Sequence, residues 1–387
     1  MPTAEKELIE FALDLVRTPS LSGQEGDVAR LVAAEMKSLG FAVESDEMGN
    51  VVGTLDLGPG PVVLFDAHMD TVSVADPTAW TRDPRGEISD HRLYGRGAMD
   101  MKGPLASAIH GVAQCRHQTQ GRLVVCATVS EELVEGPALI HVAQKVQPDA
   151  VVICEATSLR VAHGQRGRAE ICIDVFGRAT HSSRPELGIN ALDALCNALV
   201  ALQDLPLPSH PVLGRAILVA TDIASKPYPA LSVVPDFATA TLDRRTLPGE
   251  SDDEIVTAIA SSVNAAIAGT GARAKVAVAR DDFTTYSGMR VSAPNFASAW
   301  FFPDSDPVVR TAVAGLARNG LASSLTVYSF CTNGSGTAGL LGIPTIGYGP
   351  GVEELAHRPD EHIEIDDLLN GARGYAAIAT ALIQSTT

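Results

Sequence analysis

Three apolar runs in the first half of the chain each break off at an acid or an imidazole. That repetition limits the fold more than any other feature. Residues 61–65 lead into Asp66-Ala67-His68-Met69-Asp70, residues 123–129 into Ser130-Glu131-Glu132, and residues 150–154 into Glu155. Apolar stretches of this length, bounded by glycine, proline or polar residues, read as strands buried on both faces. Helical patterns lie between them, so the order is that of an α/β sheet, and ligands of such sheets gather beyond the carboxyl ends of the strands. His68, Glu132 and Glu155 are therefore expected along one rim. Taken singly, each is also what a strand end reaching water looks like.

Between the first two runs stands Leu93-Tyr94-Gly95-Arg96-Gly97-Ala98-Met99-Asp100-Met101-Lys102-Gly103, a glycine-rich turn. It opens a helix whose expected apolar face is Leu105, Ala108, Ile109 and Val112. Asp100 sits near that helix N-terminus, where a carboxylate is a favourable cap. Its two oxygens could equally bridge two metal ions. Upstream, Leu8, Phe11, Ala12 and Leu15 mark a helix stopped by Thr18-Pro19-Ser20, and a second helix closes at Gly40.

The pattern changes from about residue 168. Strand (169–176), helix (189–205), strands (216–220 and 237–242), helix (254–267) and strand (274–279) follow in the ferredoxin-like order. The expectation is a discontinuous domain of residues 1–167 and 286–387, with 168–285 inserted as a lid or dimerisation domain. A length of 387 residues suits two domains. The last part offers a helix from about 307, strands at 325–329 and 343–348, and a helix over 366–383.

A net charge of −17 argues against nucleic acid or an anionic membrane as a partner. The six cysteines show neither zinc-finger nor paired spacing, and several lie in apolar runs such as Val124-Val125-Cys126-Ala127. Free buried thiols in a reducing cytoplasm account for them. The acidic N-terminus lacks the apolar core of a signal peptide, and no apolar stretch reaches membrane-spanning length.

Read together and in order, His68-Met69-Asp70-Thr71-Val72, Gly95-Arg96-Gly97-x-x-Asp100-x-Lys102-Gly103, Ser130-Glu131-Glu132, Glu155, Gly177-x-x-x-His181-Ser182, Asp243-x-Arg245-x-x-Pro248-Gly249 and Gly349-Pro350-Gly351 with His357 resemble a known family. It is the metallopeptidase family of acetylornithine deacetylases, succinyl-diaminopimelate desuccinylases, carboxypeptidase G and aminoacylases. Cys331-Thr332-Asn333-Gly334-Ser335 and Gly342-Ile343-Pro344-Thr345-Ile346-Gly347 look closest to its selenium-metabolism-linked hydrolases. The Gly-Thr-Asp or Gly-Thr-Ser-Asp of the deacetylases and desuccinylases is absent, a departure that bears on their particular substrates.

The resemblance implies a three-layer, zinc-exopeptidase-like catalytic domain with a mixed sheet, plus the ferredoxin-like lid. It implies two divalent ions, most often Zn2+ with Co2+ or Mn2+ possible, bridged by Asp100 and a water or hydroxide. His68 and Glu155 would complete one site, Glu132 and His357 the other. Asp70 would orient His68, and Glu131 would be the general base. His181 would stabilise the oxyanion from a neighbouring subunit, which makes a homodimer through the lid necessary. Arg245 would clamp a substrate carboxylate, with Asn333 and Gly334 in a substrate loop. Read without the resemblance, His181 could instead cap a helix and Arg245 could make a surface ion pair.

The activity expected is hydrolysis of an amide bond in a small N-acyl amino acid-like substrate. A dipeptidase or carboxypeptidase is the alternative within the same chemistry. A silent binding or scaffold protein is the third; loss of a ligand or of the base would be its sign, and all are present.

Overall fold

The computed structural model describes residues 2–385, which divide into two compact units. Residues up to 165, 282–293 and 300 onward form the first; 166–281 and 294–299 form the second. The run 282–293, expected from the sequence to divide at 285/286, stays whole in the first unit.

The first unit is built on a nine-stranded mixed sheet. Its strands are β1 (Ala42–Ser45), β2 (Val51–Asp56), β3 (Val62–His68), β4 (Arg122–Thr128), β5 (Ala150–Ile153), β6 (Val161–Gln165), β7 (Trp300–Phe301), β8 (Leu325–Tyr328) and β9 (Thr345–Gly347). The spatial order is β1-β2-β4-β3-β5-β9-β6-β7, with β8 also on β6. β4, β3, β5 and β9 run parallel; β1 and β2 are antiparallel.

The central strands are apolar throughout because both faces are covered. One face carries Val51, Leu55, Val63, Phe65, Leu123, Val125 and Val152 into the main core. That core is shared with helices α1 (Thr3–Arg17), α2 (Gly26–Ser38), α3 (Lys102–Ala113), α5 (Pro307–Arg318) and α6 (Ile365–Gln384). The other face carries Val52, Leu64, Val124, Cys126, Val151 and Ile153 against Leu139, Val142 and Ala143 of α4 (Pro137–Val146). Neighbouring residues of each strand thus enter opposite layers.

Two sequence expectations change here. Every residue of α3 is buried, not one face alone. Gly111 makes this possible: a Cβ there would stand 2.4 Å from the Ala372 carbonyl oxygen of α6. Strand β6, Val-Ala-His-Gly-Gln, goes unseen in the sequence because its polar residues break the apolar pattern. All five are buried. His163 Nδ1 bonds to the Phe302 carbonyl at 2.7 Å, and Gln165 bonds to Ser335 and Thr332 at 2.8 and 2.7 Å. Their polar atoms are satisfied inside, which is the condition for burying them.

The second unit takes its strands Gly167–Phe176, Ile217–Lys226, Phe237–Thr246 and Arg273–Val278 and its helices Ala191–Ala201 and Asp252–Ala266 in the order β-α-β-β-α-β. Its four long strands pair antiparallel, with Gly167–Phe176 and Phe237–Thr246 in the centre. Ala169, Ile171, Ile173, Val175, Ala238, Ala240 and Leu242 pack on Ala194, Leu195, Ala198, Ile255, Ile259 and Val263 of the helices. The second helix starts with a capping box between Ser251 and Glu254. Among the described residues, no helix is long and apolar enough to cross a membrane.

Candidate metal centre

His68 ends β3, which lies between β4 and β5 in parallel register. Glu131 and Glu132 follow the end of β4, and Glu155 follows the end of β5, so three adjacent strands deliver them to one rim. His68 is buried, and its Nδ1 lies 3.0 Å from the Asp70 backbone carbonyl. With Nδ1–H donating there, the Nε2 lone pair is left for the cluster. Around Nε2 stand Asp100 Oδ1 at 3.2 Å, Glu155 Oε1 at 3.3 Å and Glu131 Oε2 at 3.8 Å.

The other oxygen of Asp100, Oδ2, lies 3.3 Å from His357 Nε2. Glu132 Oε2 lies 3.1 Å from the same nitrogen. Asp100 therefore stands between two imidazoles, one oxygen to each, with Glu155 beside the first and Glu132 beside the second. Ligand atoms of His68, Glu131 and Glu155 lie within 4.8 Å of one another, as do those of His68, Asp100 and Glu132.

The electrostatics of this cluster favour positive charge. Burial, and then the charges of Glu155, Glu135 and Glu132, push the Glu131 carboxyl well up, against the pull of His68. Burial also raises Glu155 to about 7. Hydrogen bonds to Asp100 and Glu132 raise His357 to about 10. Burial alone would raise Asp100, but the bonds from His357 and His68 outweigh it and hold that carboxyl well below the usual range. Four carboxylates face two imidazoles, an excess of negative charge that a cation would offset. A donor set of imidazole nitrogen and carboxylate oxygen without thiolate suits divalent zinc, manganese or cobalt.

Carboxylates outside the cluster hold the loops that carry it. Asp70, expected to orient His68, meets that ring twice: its backbone carbonyl lies 3.0 Å and its Oδ1 3.5 Å from Nδ1. Its carboxylate accepts from the backbone N–H groups of Glu131 and Glu132, both at 3.1 Å. Glu361, which no sequence motif singles out, is fully buried. Its Oε1 accepts from the N–H groups of Met99 and Asp100 at 3.0 and 3.1 Å, and its Oε2 is ion-paired with Arg96. Its one signal in sequence is its place four residues after His357. Gly349 leaves room for the backbone of a cluster residue, since a Cβ there would stand 2.4 Å from the Glu155 carbonyl oxygen.

The remaining expected site residues lie as follows. Asn333 is buried, and its Nδ2 donates to Asp66 Oδ2 at 3.0 Å and to Thr128 Oγ1 at 3.1 Å. Its Oδ1 accepts from Gly136 N at 2.8 Å, so both ends of the amide are engaged within the fold. Gly334 is buried against Trp300, whose Nε1 a Cβ would approach to 2.9 Å. His181 and Arg245 belong to the second unit. There His181 is exposed, and its Nδ1 accepts from Ser183 N at 3.1 Å, so the neutral ring carries its proton on Nε2. Arg245 donates from Nε to Asp243 Oδ1 at 2.8 Å and from Nη2 to Oδ2 at 3.4 Å.

A model of peptidase family M20/M25/M40 matches residues 64–381. The chain is 33% identical over 384 residues to the uncharacterized protein YgeY of Escherichia coli (strain K12), covering 97% of this chain and 94% of that one. It is 27% identical over 393 residues to an acetylornithine deacetylase of Edwardsiella ictaluri (strain 93-146), covering 95% of each. Among solved structures, the YXEP protein of Bacillus subtilis, described as a dinuclear metal binding peptidase from the M20 family, superposes with a TM-score of 0.74. The identity there is 16%, over 99% of both chains, a likeness of fold.

Proposed function

The chain belongs to peptidase family M20/M25/M40 and is a metal-dependent hydrolase of that family; we propose that it cleaves the amide bond of a small N-acyl amino acid-like substrate. The observation that carries this reading is the position of Asp100 between His68 and His357, each imidazole with its own glutamate. In this reading His68, Asp100 and Glu155 hold one divalent ion, and Asp100, Glu132 and His357 hold the other. Zinc is the first choice. The acyl amino acid class is favoured by the acetylornithine deacetylase relative.

Two ions held there would polarise the amide carbonyl and acidify water. Glu131 takes the proton of the attacking water and passes it to the leaving amine. Its place 3.8 Å from His68 Nε2, inside the cluster yet beside no second imidazole, supports that role. Asp70 fixes the Glu131–Glu132 backbone, so the base and its neighbouring ligand move as one piece. His181, with its proton on Nε2, is the donor to the oxyanion that develops on the carbonyl. Arg245 binds the carboxylate of the substrate's amino acid half, with Asp243 orienting the guanidinium.

The second unit serves in this reading as lid and as the surface of a homodimer. Ile217–Lys226 is an edge strand of its sheet, and Ile217, Val219 and Ile223 on it are exposed. An unpaired apolar edge of this kind favours pairing with a second copy. The six free cysteines fit a reducing cytoplasm.

The test is hydrolysis of N-acetyl, N-succinyl and N-carbamoyl amino acids and plain dipeptides by metal-stripped protein, with and without added zinc, manganese or cobalt. Metal-restored cleavage of one acyl class is expected. Metal-restored cleavage of dipeptides alone would replace this reading with that of a dipeptidase.

A further inference from the structure

The stretch between α1 and α2 reads in sequence as nothing more than a helix stop, yet it touches three of the arms that carry the cluster. The Thr18 carbonyl accepts from Lys102 Nζ at 2.7 Å, two residues beyond Asp100. Ser20 Oγ donates to the Met69 carbonyl at 2.7 Å, and the Ser20 carbonyl accepts from Thr71 N at 2.9 Å. Ser22 Oγ donates to Asp70 Oδ2 at 2.6 Å. Glu25 reaches the third arm: its Oε1 accepts from Ser130 N at 3.0 Å and from Ser130 Oγ at 3.3 Å.

Glu25 is fully buried. Ser130 has a φ of +57°, a left-handed backbone that residues other than glycine adopt only where the surroundings hold them. The next two residues are Glu131 and Glu132, whose N–H groups go to Asp70. Three successive N–H groups at this turn are thus received by two buried carboxylates, from α2's approach and from β3's end.

We propose that Glu25 is a positioning residue for Glu131 and Glu132, holding Ser130 in the left-handed turn that aims both side chains into the cluster. This rests on the reading of the cluster as a metal centre. Burial and the neighbouring Asp70 charge push the Glu25 carboxyl up. An uncharged amide of the same shape therefore suits the place, provided its oxygen still faces Ser130.

Cobalt alone is a sufficient probe, since its visible absorption reports ligand geometry without any substrate. Co2+ is titrated into metal-stripped full-length protein, with absorption and bound metal measured together. Glu25→Met keeps the volume and removes the acceptor; it should weaken Co2+ binding about 10–100-fold and alter the spectrum. Glu25→Gln should recover most of that loss. Should Glu25→Met fail to fold, Glu25→Asp shortens the reach to Ser130, and weakened Co2+ binding is expected of it too. A folded Glu25→Met or Glu25→Asp protein with the affinity and spectrum of the unaltered protein overturns the proposal. Unaltered protein that binds no Co2+ overturns the metal-centre reading beneath it.

Discussion

Glu361 holds Asp100 by the backbone rather than by the side chain: Oε1 receives the N–H groups of Met99 and Asp100, while Arg96 pairs with the other oxygen. Both carboxylate oxygens of Asp100 are thereby left for His68 and His357. Glu361→Ala removes the acceptor and leaves Arg96 as an uncompensated buried charge, which costs about 3–5 kcal/mol. Urea unfolding of the metal-free protein should show that loss, and metal content should fall in the fraction that still folds. An unchanged midpoint would remove Glu361 from this role.

Glu131→Gln tests the base. Turnover on whichever amide the protein cleaves should fall by at least about 10²-fold, since positioned proton transfer contributes typically 10²–10⁴-fold. Bound metal should stay at the unaltered level, because His68, Glu155, Asp100, Glu132 and His357 remain. Substantial residual turnover would transfer the role to another group.

Gly349→Ala places a Cβ against the backbone of Glu155, which has no side-chain freedom with which to yield. Overpacking of this kind costs about 1–3 kcal/mol. The expected result is a lower melting temperature together with weaker binding of one of two ions, the one beside His68. Equal weakening of both would mean that Glu155 is not confined to one site.

The metal-induced rise in melting temperature should grow between about pH 5 and pH 7. In the metal-free fold Glu155 keeps its proton up to about 7, whereas an unfolded glutamate loses its proton near 4.5. Over that window Glu155 binds more proton in the native state than in the unfolded chain, so it contributes less stability as pH rises. A bound cation takes the place of the Glu155 proton and removes that loss. Melting curves with and without added zinc across the window give the difference directly; a constant difference would show that metal and proton do not compete at Glu155.

How far the site can be read from the sequence depends on how each residue acts. Side chains that end apolar strands, such as His68 and Glu155, stand out because the pattern breaks where they occur. Asp100 and His357 stand out only within a longer set of motifs. Residues that act on the backbone of a distant loop leave no such mark. Glu25, Glu361 and the carboxylate of Asp70 receive N–H groups, and any residue other than proline supplies an N–H. Strand β6 stays hidden for a related reason: its polar residues find their partners in other loops, so they break the apolar pattern without breaking the strand. Asn333 shows the reverse: a polar residue in a suggestive loop turns inward to Asp66 and Thr128.

His357 and Glu132 meet across 225 positions of chain. Closing a loop of that length carries a large entropic cost before any contact can offset it, and such long-range pairings form late. An ion with fewer than its full set of ligands in the unfolded chain gains little there, so it does not serve as a nucleus around which the fold assembles. A small zinc domain folds only around its metal; here the sheet rests on a core of apolar side chains, so the fold is expected to form without the ion and to be loaded afterwards. In a cell, the supply of the ion would therefore govern how much of the folded protein is active, and leave the amount that folds largely untouched.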